Sequence, residues 1–204
     1  MQEYLAETKF FDFNHPRVQE FIRQHTQDGQ DQIGKAQSLY LAVRDLIRYN
    51  PYCFQPSPDH VSASHVLQDK SSYCIPKAVL YCAVARGVGI PSRIGLANVT
   101  NHLSDQKLID HLRSDVFVMH GYSELYLKDK WVKATPAFNK ELCERSKVKP
   151  LEFDGTQDSI FHEFTSDGTK FMEYLKHHGE FADVPWDFIV NGLREAYPHL
   201  EKLK

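Results

Sequence analysis

The sequence has no apolar run approaching the roughly 18 residues that a membrane-spanning helix needs, and its 204 residues include only four cysteines, with no Cys-x-x-Cys pair. The first absence excludes a transmembrane helix. The second argues against a disulfide framework and against a paired-thiolate metal site. Cys74 and Cys82, if they share a helix, stand about 12 Å apart along its axis, too far for either arrangement. An excess of one charge is missing too: 24 Lys and Arg against 27 Asp and Glu leave a net charge of −3. Such a balance supplies no electrostatic drive toward nucleic acid or an anionic membrane surface. No internal repeat, phosphate-binding glycine loop or low-complexity segment is found. The leading stretch Met1-Gln2-Glu3-Tyr4-Leu5-Ala6-Glu7 is too acidic for a signal peptide. With four unpaired cysteines, the expectation is a cytoplasmic, soluble protein. Asn98-Val99-Thr100 then matches a glycosylation acceptor only by accident.

What is present is enough apolar material, 42% of residues, for one well-buried core. A single domain over 1–204 is expected, with its core at about 35–140 and helical extensions at 1–34 and 141–204. The chain is organised around residues 73–93. Ala78 to Ala85 is apolar all round, the pattern of a helix buried on every side, and Gly87 and Gly89 punctuate its end. Cys74 falls in or just before its first turn. Unpaired backbone N–H groups and the positive end of the helix dipole favour negative charge there, so a lowered thiol pKa is expected. A free cysteine in an apolar helix can equally be packing material.

Upstream, Asn14 and Pro16 open a helix whose face is Val18, Phe21, Ile22 and His25. A second helix is expected over Lys35–Tyr49, with Leu39, Val43, Leu46 and Ile47 as its buried stripe. Three prolines make 51–60 irregular, and Ser62 to Leu67 forms a short capped turn. Downstream, Ser92–Thr100 reads as a strand, and Asn101–Arg113 as a polar loop over the site, its His102 and His111 facing solvent. Val116–Leu127 is a strand in which Val118, His120, Tyr122, Glu124 and Tyr126 share one face. A tight turn returns the chain through Trp131-Val132 to Thr135-Pro136. Lys140–Lys149 begins as a helix, and Ser159–Phe164, containing a structural His162, reads as a strand. A helix is expected over Thr169–His178 with Phe171, Tyr174, Leu175 and His178 on its face, and Asp183 caps a last helix that Pro185 opens.

Cys74 with Lys77-Ala78, Leu80, Ala83, Ala85-Arg86 and Gly89-Ile90-Pro91-Ser92-Arg93, followed by His120, Glu124, Tyr126-Leu127 and Trp131-Val132, resembles the core of the transglutaminase-like superfamily over roughly Ala63 to Thr135. The resemblance implies an α+β, papain-like core: N-terminal helices, a nucleophile at a helix N-terminus packed on a small antiparallel sheet, and here a C-terminal helical extension. It implies a Cys-His-Asp triad, with Cys74 as nucleophile and His120 as base and then acid. The family's aspartate position holds Thr135, which can accept a hydrogen bond from an imidazole but carries no charge. If Asp129-Lys130 is the two-residue hairpin loop, Glu124 lies opposite Thr135 and His120 opposite Asn139, making Asn139 an alternative third member; its competing reading is the N-cap of the helix at Lys140. Gln68, six residues before Cys74, stands at the spacing of a papain-type oxyanion glutamine, or is simply solvated. The chemistry implied is acyl transfer through a Cys74 thioester, ending in hydrolysis or transamidation of a peptide, protein or small amide. No cofactor is required, and a calcium site would need a carboxylate cluster that the sequence does not offer. The alternative is a module that keeps the fold, has lost turnover and serves as a binding or scaffold unit.

Overall fold

The computed structural model describes residues 1–102, 104–161, 171–200 and 203. The first helix, α1 (Pro16–His25), is capped by His15, whose Nδ1 accepts the Arg17 N–H at 3.2 Å. Asn14, the expected cap, is instead tied to the Glu7 carboxylate through its own N–H and side-chain amide. α2 (Gln32–Leu46) starts three residues before the expected position because Asp31 caps it, accepting the Gly34 N–H at 2.8 Å. It also ends early, and the chain passes into β1 (Arg48–Tyr49). Leu39, Val43 and Ile47 are buried as expected, but Leu46, at the last helical position, is 52% exposed.

After two 3-10 turns, α3 (Ala63–Asp69) ends at a left-handed Lys70, and β2 (Ser71–Ser72) pairs in parallel with β1. α4 (Cys74–Gly87) is the central helix, buried from Ile75 to Arg86. It packs against α1, α2 and α3 on one side and against the sheet on the other. Its one lysine, Lys77, is fully buried, and Nζ donates to the carbonyls of Arg44, at 2.8 Å, and Ile47. These are carbonyls that the C-terminal end of α2 leaves without helical partners. Burial lowers the Lys77 pKa to about 7.

The main sheet has the order β5-β4-β3-β6, all neighbours antiparallel, from β3 (Ser92–Asn101), β4 (Val116–Leu127), β5 (Lys130–Ala134) and β6 (Met172–Phe181). The hairpin turn is Lys128-Asp129, not Asp129-Lys130, because both of these residues adopt the left-handed conformation (φ 47° and 63°) that a two-residue hairpin loop of this twist requires. Glu124 therefore stands opposite Lys133 and Ser123 opposite Ala134. Tertiary pairing also overrides the helix expected at Thr169–His178: its described part is strand β6. Two irregularities in the β3–β6 ladder, around Leu175 and His178, break the period of two and leave apolar spacings that mimic a helix.

α5 (Gln106–Leu112) forms where a loop was expected, capped by Asp105, whose carboxylate accepts the Leu108 N–H at 2.7 Å. α6 (Lys140–Arg145) and α7 (Trp186–Ala196) form as helices, but Pro185 is the N-cap residue of α7 and Asp183 does not cap it, since its carboxylate accepts the Val184 N–H and the Thr8 hydroxyl before the helix begins. Of the strand expected at Ser159–Phe164, Ser159 makes a single bridge to Ala134, while His162 and the first residues of the expected 169–178 helix lie outside the described residues. No helix among the described residues is long and apolar enough to cross a membrane.

Candidate active site

Cys74 is the first residue of α4, entered from an extended Tyr73. The helix start is pressed against β4 at Gly121, where an added Cβ would lie 2.9 Å from the Ile75 Cα. Any side chain here would force strand and helix apart, so glycine permits the approach. That approach sets the N–H groups of Gly121, Cys74 and Ile75 near the Cys74 sulfur without closing a hydrogen bond of normal geometry. These donors favour thiolate, but burial outweighs them and the thiol is pushed up to about 11. The lowered pKa expected from the helix N-terminus is thus corrected: three backbone dipoles do not replace the lost solvation of a charged sulfur.

His120 immediately precedes Gly121 on β4 and pairs with Ala97 of β3. Between His120 and Phe117 the ladder carries a bulge, with Met119 at φ 58° and its N–H on Asn98 Oδ1 at 3.3 Å. The bulge breaks the alternation assumed for this strand: Val118 packs on the main core with Met119, whereas the His120 ring lies among Phe161 and Tyr174, each 6.3 Å away between centroids. The ring is only 5% exposed, and its Nε2 has no hydrogen-bond partner among the described residues. Burial lowers its pKa to about 4. Cys74 and His120 therefore rest as a neutral thiol beside a strand bearing a neutral imidazole.

Thr135 directly follows β5 and is 1% exposed. Its main chain is fastened by its N–H to the Ser159 carbonyl at 3.0 Å and by its carbonyl to the Tyr40 hydroxyl at 3.2 Å. Among the described residues its Oγ1 has no hydrogen-bond partner, and neither has the Tyr174 hydroxyl. The Tyr174 hydroxyl reaches toward Thr135 and the Phe161 N–H without closing a hydrogen bond of normal geometry, and burial raises this phenol to about 12. Tyr174 thus adjoins both His120 and Thr135. The sequence did not single it out, because its segment carries helix-like spacing and only pairing with β3 turns it toward the ring.

Asn139 does not take the third place. With the turn at Lys128-Asp129, a continued ladder would set Ala137 opposite His120, and pairing stops at Ala134. The Asn139 Oδ1 instead accepts the Tyr49 N–H at 3.1 Å, while the residue stands at the N-cap position of α6. Gln68 is exposed in the last turn of α3 and is absent from the lining of the cavity into which Cys74 opens.

That cavity has a volume of about 1100 Å³ and is lined by Cys74 and His120 together with Tyr49, Phe54, Phe117, Phe138 and Leu193. α5 forms part of the wall, so the Asn101–Arg113 segment does cover the site. His111 lines the cavity, and His102 stands 3.5 Å from Glu173. Arg113 and Arg145 bring positive charge to the lining, and Asp105 and Asp110 bring negative.

A family model, that of the transglutaminase-like superfamily, matches residues 19–136, more than half of the 204. The chain belongs to the transglutaminase-like superfamily. No curated protein matches it. Among solved structures it is similar to a protein from Cytophaga hutchinsonii described as a candidate cysteine protease, with a TM-score of 0.51 at 12% identity. The alignment covers 87% of this chain but 53% of that one, so the chain spans about half the length of that neighbour. At this identity the likeness bears on the fold alone.

Family membership accounts for a second group of motif residues as structure. Arg93 Nε donates to the buried Glu124 Oε2 at 2.7 Å, its guanidinium lies 4.1 Å over the Trp131 ring, and Lys133 stands 3.8 Å from the other carboxylate oxygen. These residues tie β3, β4 and β5 together beside the site. The hydroxyls of Thr135 and Tyr174 approach one another just past the end of β5.

Proposed function

We propose that this transglutaminase-like protein is a thiol-dependent acyl-transfer enzyme acting on a peptide, protein or small amide, with Cys74 as nucleophile, His120 as proton carrier, and residues 1–204 working as one domain. The observation that carries the reading is the junction of α4 and β4, where Gly121, the neighbour of His120, lets the strand close on the first turn of the helix, and where Cys74 and His120 line one cavity. As the sulfur bonds to the substrate carbonyl carbon, the thiol proton passes to the imidazole. The imidazolium returns that proton to the departing amine, leaving a thioester on Cys74. Water then gives the acid, or a second amine gives a new amide, and the thiol is restored. Because thiol and imidazole are both neutral at rest, the proton moves only when a carbonyl is in place. The Thr135 and Tyr174 hydroxyls supply dipoles where the family uses a charge, which predicts slow turnover. The four cysteines, none of them in a disulfide, agree with a reducing, cytoplasmic setting.

The same substitution favours the second reading, a binding module without turnover. Incubation with p-nitrophenyl acetate separates the two. The enzyme accumulates a hydroxylamine-labile acetyl group on Cys74, seen by mass spectrometry and lost in His120→Ala. Acetylation of Cys74 no faster than of Cys53, Cys82 and Cys143 leaves the binding module standing.

A further inference from the structure

On the face of the molecule formed by the 3-10 turn Pro58–Val61 and α3, three side chains converge: His60 from the turn, and His65 and Asp69 from α3. His65 and Asp69 are four residues apart on the helix, hence on one face. One donor atom from each of the three lies within 4.8 Å of the other two. From this geometry we propose that His60, His65 and Asp69 form a binding site for a zinc-class divalent transition-metal ion, independent of the Cys74 site.

Several observations agree. The His65 Nε2 and Asp69 Oδ2 stand 3.2 Å apart, yet the buried Nε2 makes no hydrogen bond of normal geometry with that carboxylate or with any other described group. Two ligand atoms each about 2.0–2.2 Å from one zinc ion, at a tetrahedral angle, stand roughly 3.3 Å apart. The observed spacing falls close to that of two ligand atoms on one cation. The His60 and His65 rings meet edge to face with centroids 4.3 Å apart, so the imidazoles are already gathered. Asp69 ends α3, where the carbonyl end of the helix disfavours a negative charge and a cation relieves it. Lys9 does not serve as that cation, since it pairs with Asp59 at 2.8 Å. Two imidazoles and one carboxylate with open positions left over suit zinc and its transition-metal neighbours, whereas calcium and magnesium call for more oxygen donors. No motif in the sequence indicates the set, because His60 reaches the other two donors only when the 3-10 turn folds back on α3.

A bound ion would clip the turn to the helix that leads through Lys70, Ser71 and Ser72 to Cys74. The test uses untagged, chelator-treated protein carrying Cys74→Ser, which removes the competing thiol of the cavity. Equilibrium dialysis against zinc chloride is expected to give one bound ion per chain, with cobalt(II) giving the visible absorption of a low-symmetry site and zinc raising the melting temperature by roughly 5 °C at saturation. His60→Ala or the milder, exposed Asp69→Asn should weaken binding at least about tenfold, and His177→Ala, on the exposed strand β6, should leave it unchanged. Circular dichroism identifies any variant that does not fold, and Asp69→Asn then decides. Zinc held equally by the Asp69→Asn protein, or not held by the parent, overturns the site.

Discussion

Four residues apart on the same face of β4, Glu124 and His120 are both buried, yet the fold treats them in opposite ways. Glu124 is met by Arg93 and Lys133, its partner arginine lies over Trp131, and burial, helped by the Glu180 charge, holds its carboxyl above the ordinary range against those cations. His120 is met by the rings of Phe161 and Tyr174, and among the described residues its Nε2 has no hydrogen-bond partner, nor have the Tyr174 hydroxyl and the Thr135 Oγ1 beside that hydroxyl. A buried polar group with partners contributes to structure, whereas one without costs stability and is retained where it has other work. The comparison separates the two halves of one motif: the Arg93–Glu124–Trp131 half ties three strands together, and the Cys74–His120 half lines the cavity.

The largest expected effect lies at the satisfied end. Glu124→Ala leaves Arg93 without its partner and should cost about 3–5 kcal/mol in denaturant unfolding; a loss under 1 kcal/mol would remove Glu124 from the structural half. Next is the pH dependence of His120. Its folded pKa, lowered to about 4 from an ordinary 6.5, means that the unfolded chain takes up the proton first. Its contribution is therefore complete above pH 6.5 and is lost as pH falls toward 4, on the order of 3 kcal/mol. Comparing parent and His120→Gln across that window isolates the difference, and identical profiles would show an imidazole already solvated.

Restoring the family carboxylate sharpens the contrast further. In Thr135→Asp the new charge should raise the His120 pKa by about 1 to 3 pH units, read from the imidazole proton resonances, and should speed acylation of Cys74. An unmoved resonance would place residue 135 out of reach of the ring. The smallest effect is that of Tyr174→Phe. Removing an unmet hydroxyl should change stability by less than about 1 kcal/mol in either direction. A loss of 2 kcal/mol or more would mean that this hydroxyl is bonded in solution and belongs with the satisfied half.

The central helix and the hairpin are legible in the sequence because their signals are local. An apolar stretch from Ala78 to Ala85 closed by Gly87 can be little else than a buried helix, and the His120–Trp131 spacing brings two strands together across a tight turn. Where the reading slips, a longer-range effect is responsible. The turn shifts by one residue because Lys128 and Asp129 both adopt left-handed backbone, and Asn139 leaves the site with it. Residues 172–178 become an edge strand because β3 offers them a partner, and two bulges disguise their period. Gln68 stays in solvent because α3 extends through it.

By itself the sequence determined the family, the buried helix that carries Cys74 and the strand that carries His120, since each is written in residue type at short spacing. Only the tertiary structure decided that the sulfur and the imidazole are both neutral at rest, that Tyr174 of β6 lies against the His120 ring with its hydroxyl toward Thr135, and that His60 meets His65 and Asp69. Those features depend on how much water and which distant chains surround a group. Solvation and long-range packing are properties of the assembled core and have no counterpart in the local pattern.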